Sequence, residues 1–328
     1  MPVVADAYLK GFRGFDAALA YEAVCATAMR DELGLKAVKA GALFRPIVRR
    51  KAYRKAWNTP STIGALRRWP GSWAKPTITP TSASAPKNYE NYFDKRVGFM
   101  RGRVALNEWR TPFNPFTSVH MKSDFTEGNP WQYTWLVPQD VEGLIGLLGG
   151  EKRFSQKLDS LFIVKGDMGA EASNDISGLI GMYAHGNEPS HHVAYLYNYV
   201  GQPWKTADKV RFITDNFYTA KPDGIIGNED VGQMSAWHIF STLGFYPLNP
   251  ANGAYVFGSP AVKHATIKLA AGKTLTIEAK NNSSTNKYIQ AITLNGKAIL
   301  SPTSRTKSYC KAATSSLKWV LPQVLLGA

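Results

Sequence analysis

The sequence predicts a mainly α protein that ends in a small β element, and three observations predict it. Apolar residues recur at three- and four-residue spacing in segment after segment of the first 250 residues. The segments that carry this period are joined by short turns marked by Gly and Pro. After Pro250 the period drops to two. Helix after helix with short connections implies layered α packing, and alternation at the end implies strands.

Residues 1–40 read as helical, with Ala-rich segments such as Asp16–Met29. Residues 43–87 hold six prolines, no acids and no sustained period, so an anomalous, poorly ordered segment is expected there. Phe93–Asn129 is rich in Gly, Pro and aromatics and reads as loops. Val141–Leu148 is expected to be a short helix ended by Gly149-Gly150, and Glu151–Phe162 a second one. Asn174-Asp175 is placed to cap a helix through Tyr183, ended by Gly186. Pro189 and Pro203 each suit a first helical position, before Ser190–Tyr199 and Trp204–Tyr218. Gln233–Leu243 is a further helix that Gly244 stops. His264–Leu269, Thr274–Ala279 and Tyr288–Leu294 alternate as strands, and Asn295-Gly296 is a hairpin turn.

With 328 residues and 44% hydrophobic content the chain has ample material for one large or two smaller cores. No run of about 18 apolar residues marks a membrane span, and the first residues lack the charged start and apolar stretch of a signal peptide. Cys25 and Cys310 match no metal or redox spacing. The net charge of +15 would ordinarily suggest a nucleic-acid partner. Ten Lys or Arg lie between Leu43 and Lys87 and six after Lys280, with no acid in either stretch. Removing these sixteen from the 39 leaves 23 basic against 24 acidic residues, so the body is neutral and no nucleic acid is expected.

Three strings stand out: Glu127-Gly128-Asn129-Pro130-Trp131-Gln132-Tyr133, Gly186-Asn187-Glu188-Pro189-Ser190-His191-His192, and Gly227-Asn228-Glu229-Asp230-Val231-Gly232-Gln233-Met234-Ser235. Each sets carboxylates, amides or imidazoles at a Gly-opened turn leading into an apolar stretch. Two acids can move protons at a glycosidic bond, aromatics pack on sugar faces and amides bind hydroxyls. Asn187 and Glu188 suit a hard, oxygen-seeking cation such as Ca2+. Helix capping is the competing reading for Asn187, Glu188, Asn228 and Asp230, and a dipole-stabilised carboxylate for Glu127. His185, His191 and His192 lack zinc-motif spacing, so sugar contacts or core hydrogen bonds are expected of them.

EGNPWQYTWLVPQDVEGLI (127–145), GNEPSHHVAYLYNYVGQPWKT (186–206) and GNEDVGQMSAWHIFSTLGFYPLNP (227–250), with 1–23 and 99–116, resemble glycoside hydrolase family 92, the calcium-dependent inverting exo-α-mannosidases. The resemblance implies a β-sandwich followed by an (α/α)6 toroid, of which this chain would hold a partial toroid over 1–250. A β-rich part over 251–308 and an anomalous tail over 309–328 would follow. Met1 would then fall inside the family's catalytic domain. The acid-free stretches 43–87 and 309–328 would be translations of a shifted reading frame.

By the same resemblance Glu127 is the general acid and Asp230 the general base, with Asn228 orienting the water where the family often has a second Asp. The resemblance and the composition of the strings give Trp131, Gln132, His185, His191, His192, Glu229 and Gln233 as substrate-binding positions. Tyr133 and Trp237 are further aromatics for the sugar. An inverting pair of carboxyls stands roughly 6.5–9.5 Å apart to admit a water. The implied reaction is calcium-assisted removal of terminal α-linked mannose, of α-1,2 type, from a glycan, impaired if the toroid is incomplete. Another α/α-toroid glycosidase, or a non-catalytic remnant, are the alternatives. The relatives are exported proteins.

Overall fold

The computed structural model describes residues 2–10, 12, 14–28, 85–105, 107–249, 254–269, 274–300, 309–311 and 317–320. Residues 43–84 of the basic segment, and the expected helical stretch 29–40, lie outside the described residues. The chain divides into two units, Met1–Ser190 with Asn249–Gly253 and His191–Leu248 with Ala254–Ala328.

In the first unit, α1 (Pro2–Leu9) and α2 (Ala17–Ala28) place Val4, Tyr8, Ala17 and Tyr21 in one apolar cluster. Asp16 starts α2 by accepting from the main-chain N–H groups of Ala18 and Leu19, which have no partner inside the helix. A 3₁₀ helix over Ala85–Tyr92 leads into the hairpin β1 (Phe93–Asp94) and β2 (Phe99–Met100), followed by β3 (Arg103–Ala105) and β4 (Glu108–Trp109). Buried Asp94 accepts from Arg96 and from Arg101, whose guanidinium also donates to the Arg110 carbonyl.

The one-turn helix α3 (Pro130–Tyr133), α4 (Val141–Leu147) and α5 (Glu151–Leu161) come next. Asp140 caps α4 through Gly143 N and receives the Tyr89 hydroxyl at 2.8 Å. Trp135 meets Phe154 edge to face in the core, both fully buried. Gly149 and Gly150 separate α4 from α5 as the sequence predicts, both with positive φ.

The helix expected from Asn174 to Tyr183 is instead an antiparallel pair, β5 (Leu179–Ile180) and β6 (Tyr183–Ala184). Gly178 and Gly181 both adopt φ of 60°, which no right-handed helix accommodates. At Gly181 a Cβ would stand 2.5 Å from the Leu161 carbonyl oxygen and 2.6 Å from Ile163 N, so the turn runs flush against the end of α5.

In the second unit, a 3₁₀ helix over Val193–Val200 precedes α6 (Pro203–Asn216) and α7 (Gln233–Leu243). The expected regular helix after Pro189 is thus two 3₁₀ pieces, the first at Glu188–Ser190. Gly244 closes α7 in the left-handed conformation, as predicted. The strands are β7 (Phe245–Asn249), β8 (Ala254–Phe257), β9 (His264–Lys268), β10 (Thr274–Lys280), β11 (Ala291–Leu294), β12 (Lys297–Leu300), β13 (Tyr309–Lys311) and β14 (Leu317–Val320). They form a five-stranded sheet ordered β12-β11-β14-β10-β9 and a three-stranded sheet ordered β13-β8-β7. The tail after 308, set apart at the sequence level, therefore supplies β13 and β14, the latter parallel to β10 with Ile277 opposite Leu317.

Phe245, Phe257, Ile277, Ala279 and Ile292 form the buried cluster between strands and α7, where Phe240 and Leu243 pack on it. Burying several such side chains, each stabilising by roughly 1.5–3 kcal/mol, holds helix and sheet together. Arg211 pins α6 to the loops, donating to the Pro260 carbonyl at 3.0 Å, to Asn282 Oδ1 at 3.2 Å and to the Ser283 carbonyl at 2.6 Å. No helix among the described residues is long and apolar enough to cross a membrane.

Candidate active site

The segment around Glu127 is built on a reciprocal cap. Asn129 Oδ1 accepts from Gln132 N at 3.3 Å, and Gln132 Oε1 accepts from Asn129 N at 3.0 Å. This capping box satisfies two helix-end donors at once, and the spacing Asn-x-x-Gln was its signal in the sequence. Gln132 Nε2 donates to the Met182 carbonyl and Asn129 Nδ2 to the Phe116 carbonyl. Both amides are therefore engaged at both ends, so Gln132 reaches a sugar only by giving up a bond to the chain.

Gly128 is required by the same packing. A Cβ there would lie 2.6 Å from Tyr133 Cε2 and 2.8 Å from Gln132 Oε1. The Glu127 side chain is half-buried. Trp131 and Tyr133 are buried, Trp131 against Phe99 with centroids 4.8 Å apart and Tyr133 against Phe125 at 4.9 Å. Their rings pack the protein rather than present a face to solvent.

Asn187 is buried and its Nδ2 donates to the Glu127 carbonyl at 3.1 Å, so the first and second strings meet. The nitrogen is so committed, and the Oδ1 of Asn187 and the carboxylate of the next residue, Glu188, are of the hard-oxygen type that calcium prefers. Among the described residues no group of three or more His, Cys, Asp and Glu side chains could hold a metal. A calcium ion here would take Asn187 and Glu188 and fill the rest of its six to eight positions with main-chain carbonyls, water and sugar hydroxyls. His185 is buried and shares a 2.9 Å hydrogen bond with the Tyr183 hydroxyl.

In the second unit, His191 accepts at Nδ1 from Gln233 Nε2 at 3.1 Å, and its carbonyl accepts from Trp237 Nε1 at 2.9 Å. Trp237 is fully buried, stacked on Tyr218 at 5.9 Å, so the sugar-packing role expected of it does not fit its position. His192 is buried as well. Burial pushes the Tyr218 hydroxyl above its ordinary range, and the Glu229 charge adds to that.

The third string carries backbone strain. Asp230 and Val231 have φ of 42° and 59°, and Gly232 follows at 82°. Three left-handed residues in a row are unusual, and a β-branched one among them is a genuine outlier. Glu229 holds the turn: its Oε1 accepts from Ser235 N at 3.1 Å and its Oε2 from the Ser235 hydroxyl at 3.0 Å. Its carbonyl accepts from Gln233 N. Glu229, expected as a sugar ligand, clamps the α7 N-terminus, while Asn228, Asp230 and Val231 are exposed. Sequence reasoning did not single out Asn129, whose cap was legible from its spacing, or Lys157, whose ammonium stands 4.7 Å from the Trp131 ring centroid and had no sequence signal.

Residues 1–318 match the description "Glycosyl hydrolase family 92 catalytic domain". The structure of a family GH92 α-mannosidase from Bacteroides thetaiotaomicron in complex with mannoimidazole superposes with a TM-score of 0.85 at 35% identity, covering 98% of this chain and 43% of that one. That of a family GH92 inverting mannosidase from the same organism gives 0.82 at 30% identity, covering 98% and 45%. A protein described as an uncharacterized secreted glycosidase of Arthroderma benhamiae is 32% identical over 212 residues, 61% of this chain and 25% of that protein. The chain thus spans under half the length of these relatives.

Proposed function

The chain belongs to glycosyl hydrolase family 92, and from that premise we propose that it hydrolyses terminal α-linked mannose, of α-1,2 type, from a glycan with inversion. Glu127 protonates the departing glycosidic oxygen, and Asp230 takes a proton from the attacking water that Asn228 orients. Inversion follows because the water adds to the face opposite the leaving group. The observation that carries this reading is the strained turn at Asp230-Val231. Non-glycine residues held left-handed persist where the surrounding structure over-determines them, and such strain clusters at functional sites. The Glu229–Ser235 clamp supplies that determination.

The three histidines are the sugar contacts in this proposal, with Gln233 holding the His191 imidazole. Bound at Asn187 and Glu188, calcium would supply Lewis-acid contact to sugar hydroxyls. The helices belong to an (α/α)6 toroid, and work outside the cytoplasm accords with the description of the Arthroderma relative as secreted.

The test is release of mannose from an α-mannoside followed by proton NMR. The β anomer appears first, a calcium chelator stops the release and added Ca2+ restores it. Glu127→Gln and Asp230→Asn each lower the rate by roughly 10²–10⁴, the range for losing a general acid or base. First appearance of the α anomer, or full activity in both variants, overturns the proposal.

A further inference from the structure

Lys157 lies midway along α5, and its ammonium stands 3.3 Å from the centroid of the Phe99 ring and 4.7 Å from that of Trp131. The two rings meet edge to face, and they are 7% and 8% exposed. The groups packed on the amine are neutral: Gly98 and Phe99 from the β1–β2 hairpin, and Trp131 from α3. The carboxylate of that hairpin, Asp94, is taken up by Arg96 and Arg101, and α3 itself bears no charged side chain. Burial pulls the amine down from 10.5 to about 8, with no neighbouring charge to oppose it.

Lys157 is half-buried; an ammonium partly withdrawn from water without a carboxylate is unfavourable, and a methionine of similar length would fill the same space without that burden. The ring faces offset part of the desolvation, because a cation over an aromatic face is attracted by its quadrupole. Trp131 is the second residue of α3, one position before Gln132, whose amide closes the cap on Asn129 two residues after Glu127. A force on the indole is therefore a force on the Glu127 segment.

We propose that Lys157 is a positioning residue: its ammonium clamps the Trp131 indole against Phe99 and so fixes the segment that carries the Glu127 carboxyl. The lysine touches no sugar and acts only through the ring. This rests on Glu127 being the acid, so two readouts are needed, one of which requires no turnover.

The first readout is fluorine NMR of the protein labelled with fluorotryptophan, the Trp131 resonance being assigned by its loss in Trp131→Phe. It shifts with a midpoint near pH 8 in the parent protein. In Lys157→Arg it stays at the low-pH position, and in Lys157→Met at the high-pH position. A parent resonance that does not move between about pH 6 and 10, or one that moves equally in Lys157→Met, overturns the clamp.

The second readout compares methyl α-mannoside, whose leaving oxygen needs a proton, with dinitrophenyl α-mannoside, whose leaving group needs none. Lys157→Met loses roughly tenfold more kcat on the methyl glycoside than on the dinitrophenyl one, about 1.4 kcal/mol of acid assistance, and Lys157→Arg recovers most of it. Equal losses on both substrates overturn the positioning role. A titrating resonance in a protein that hydrolyses neither substrate fails the mannosidase reading and the positioning of an acid with it, while the lysine–indole contact stands as measured.

Discussion

The side-chain nitrogen of Asn187 donates to the main-chain carbonyl of Glu127 at 3.1 Å, joining residues 60 apart in sequence. The contact ties the segment proposed to bind calcium to the one proposed to donate the proton. Asn187→Leu leaves that carbonyl without its donor and removes an oxygen ligand. Stability is expected to fall by roughly 1–3 kcal/mol, the penalty for an unsatisfied buried acceptor. Urea unfolding measures that loss, and the same variant should need more Ca2+ for half-maximal mannoside hydrolysis.

Asp94 and Arg101 form a buried ion pair at 3.1 Å. Hydrogen bonding from Arg96, against an opposing effect of burial, holds the Asp94 carboxyl below its ordinary range. A depressed carboxylate contributes stability that is complete above the unfolded-state value near pH 4 and lost as pH falls through the folded one. Asp94→Asn leaves Arg101 buried without a counter-charge and should cost about 3–5 kcal/mol. Denaturant midpoints at neutral and acidic pH check both statements, the gap between parent and variant closing on acidification.

Val231 is fully exposed and left-handed, so its side chain gains nothing from burial and suffers from its backbone. Val231→Gly relieves strain of roughly 1–2 kcal/mol and loses part of that to the wider freedom of the unfolded chain. A net gain of about 0.5–1 kcal/mol is expected in thermal unfolding. The looser turn should lower kcat with little change in melting-curve cooperativity.

Lys157 gives the fold a pH signature of its own. Between about pH 8 and 10.5 the folded amine has lost a proton that the unfolded chain still holds. Unfolding takes up that proton, so stability rises with pH across this window, by roughly 3 kcal/mol at most before screening and relaxation reduce it. Melting temperatures of the parent relative to Lys157→Met, followed from neutral to alkaline pH, should converge as the pH rises.

Much of this was legible in the chain. The three strings were visible because each crowds polar residues around Gly and Pro, and α4, α5 and α7 because glycines punctuate a strong apolar period. Asn295-Gly296, with φ of 52° and 78°, forms the expected hairpin. The helix expected over 174–183 failed because Gly178 and Gly181 serve a close approach to α5 that no local pattern encodes. Glu229 read as a ligand from its composition, while the clamp it forms with Ser235, six residues on, had no sequence signal. Lys157 was illegible for the same reason: its partners, Phe99 and Trp131, sit on other elements.

The left-handed run at 230–232 has a consequence for how this protein fails. A backbone held against its own torsional preference is released as soon as the first turn of α7 frays, and helix ends open before cores do. Warming or mild denaturant should therefore disarm the molecule while its aromatic interior is still intact, and cooling should rearm it.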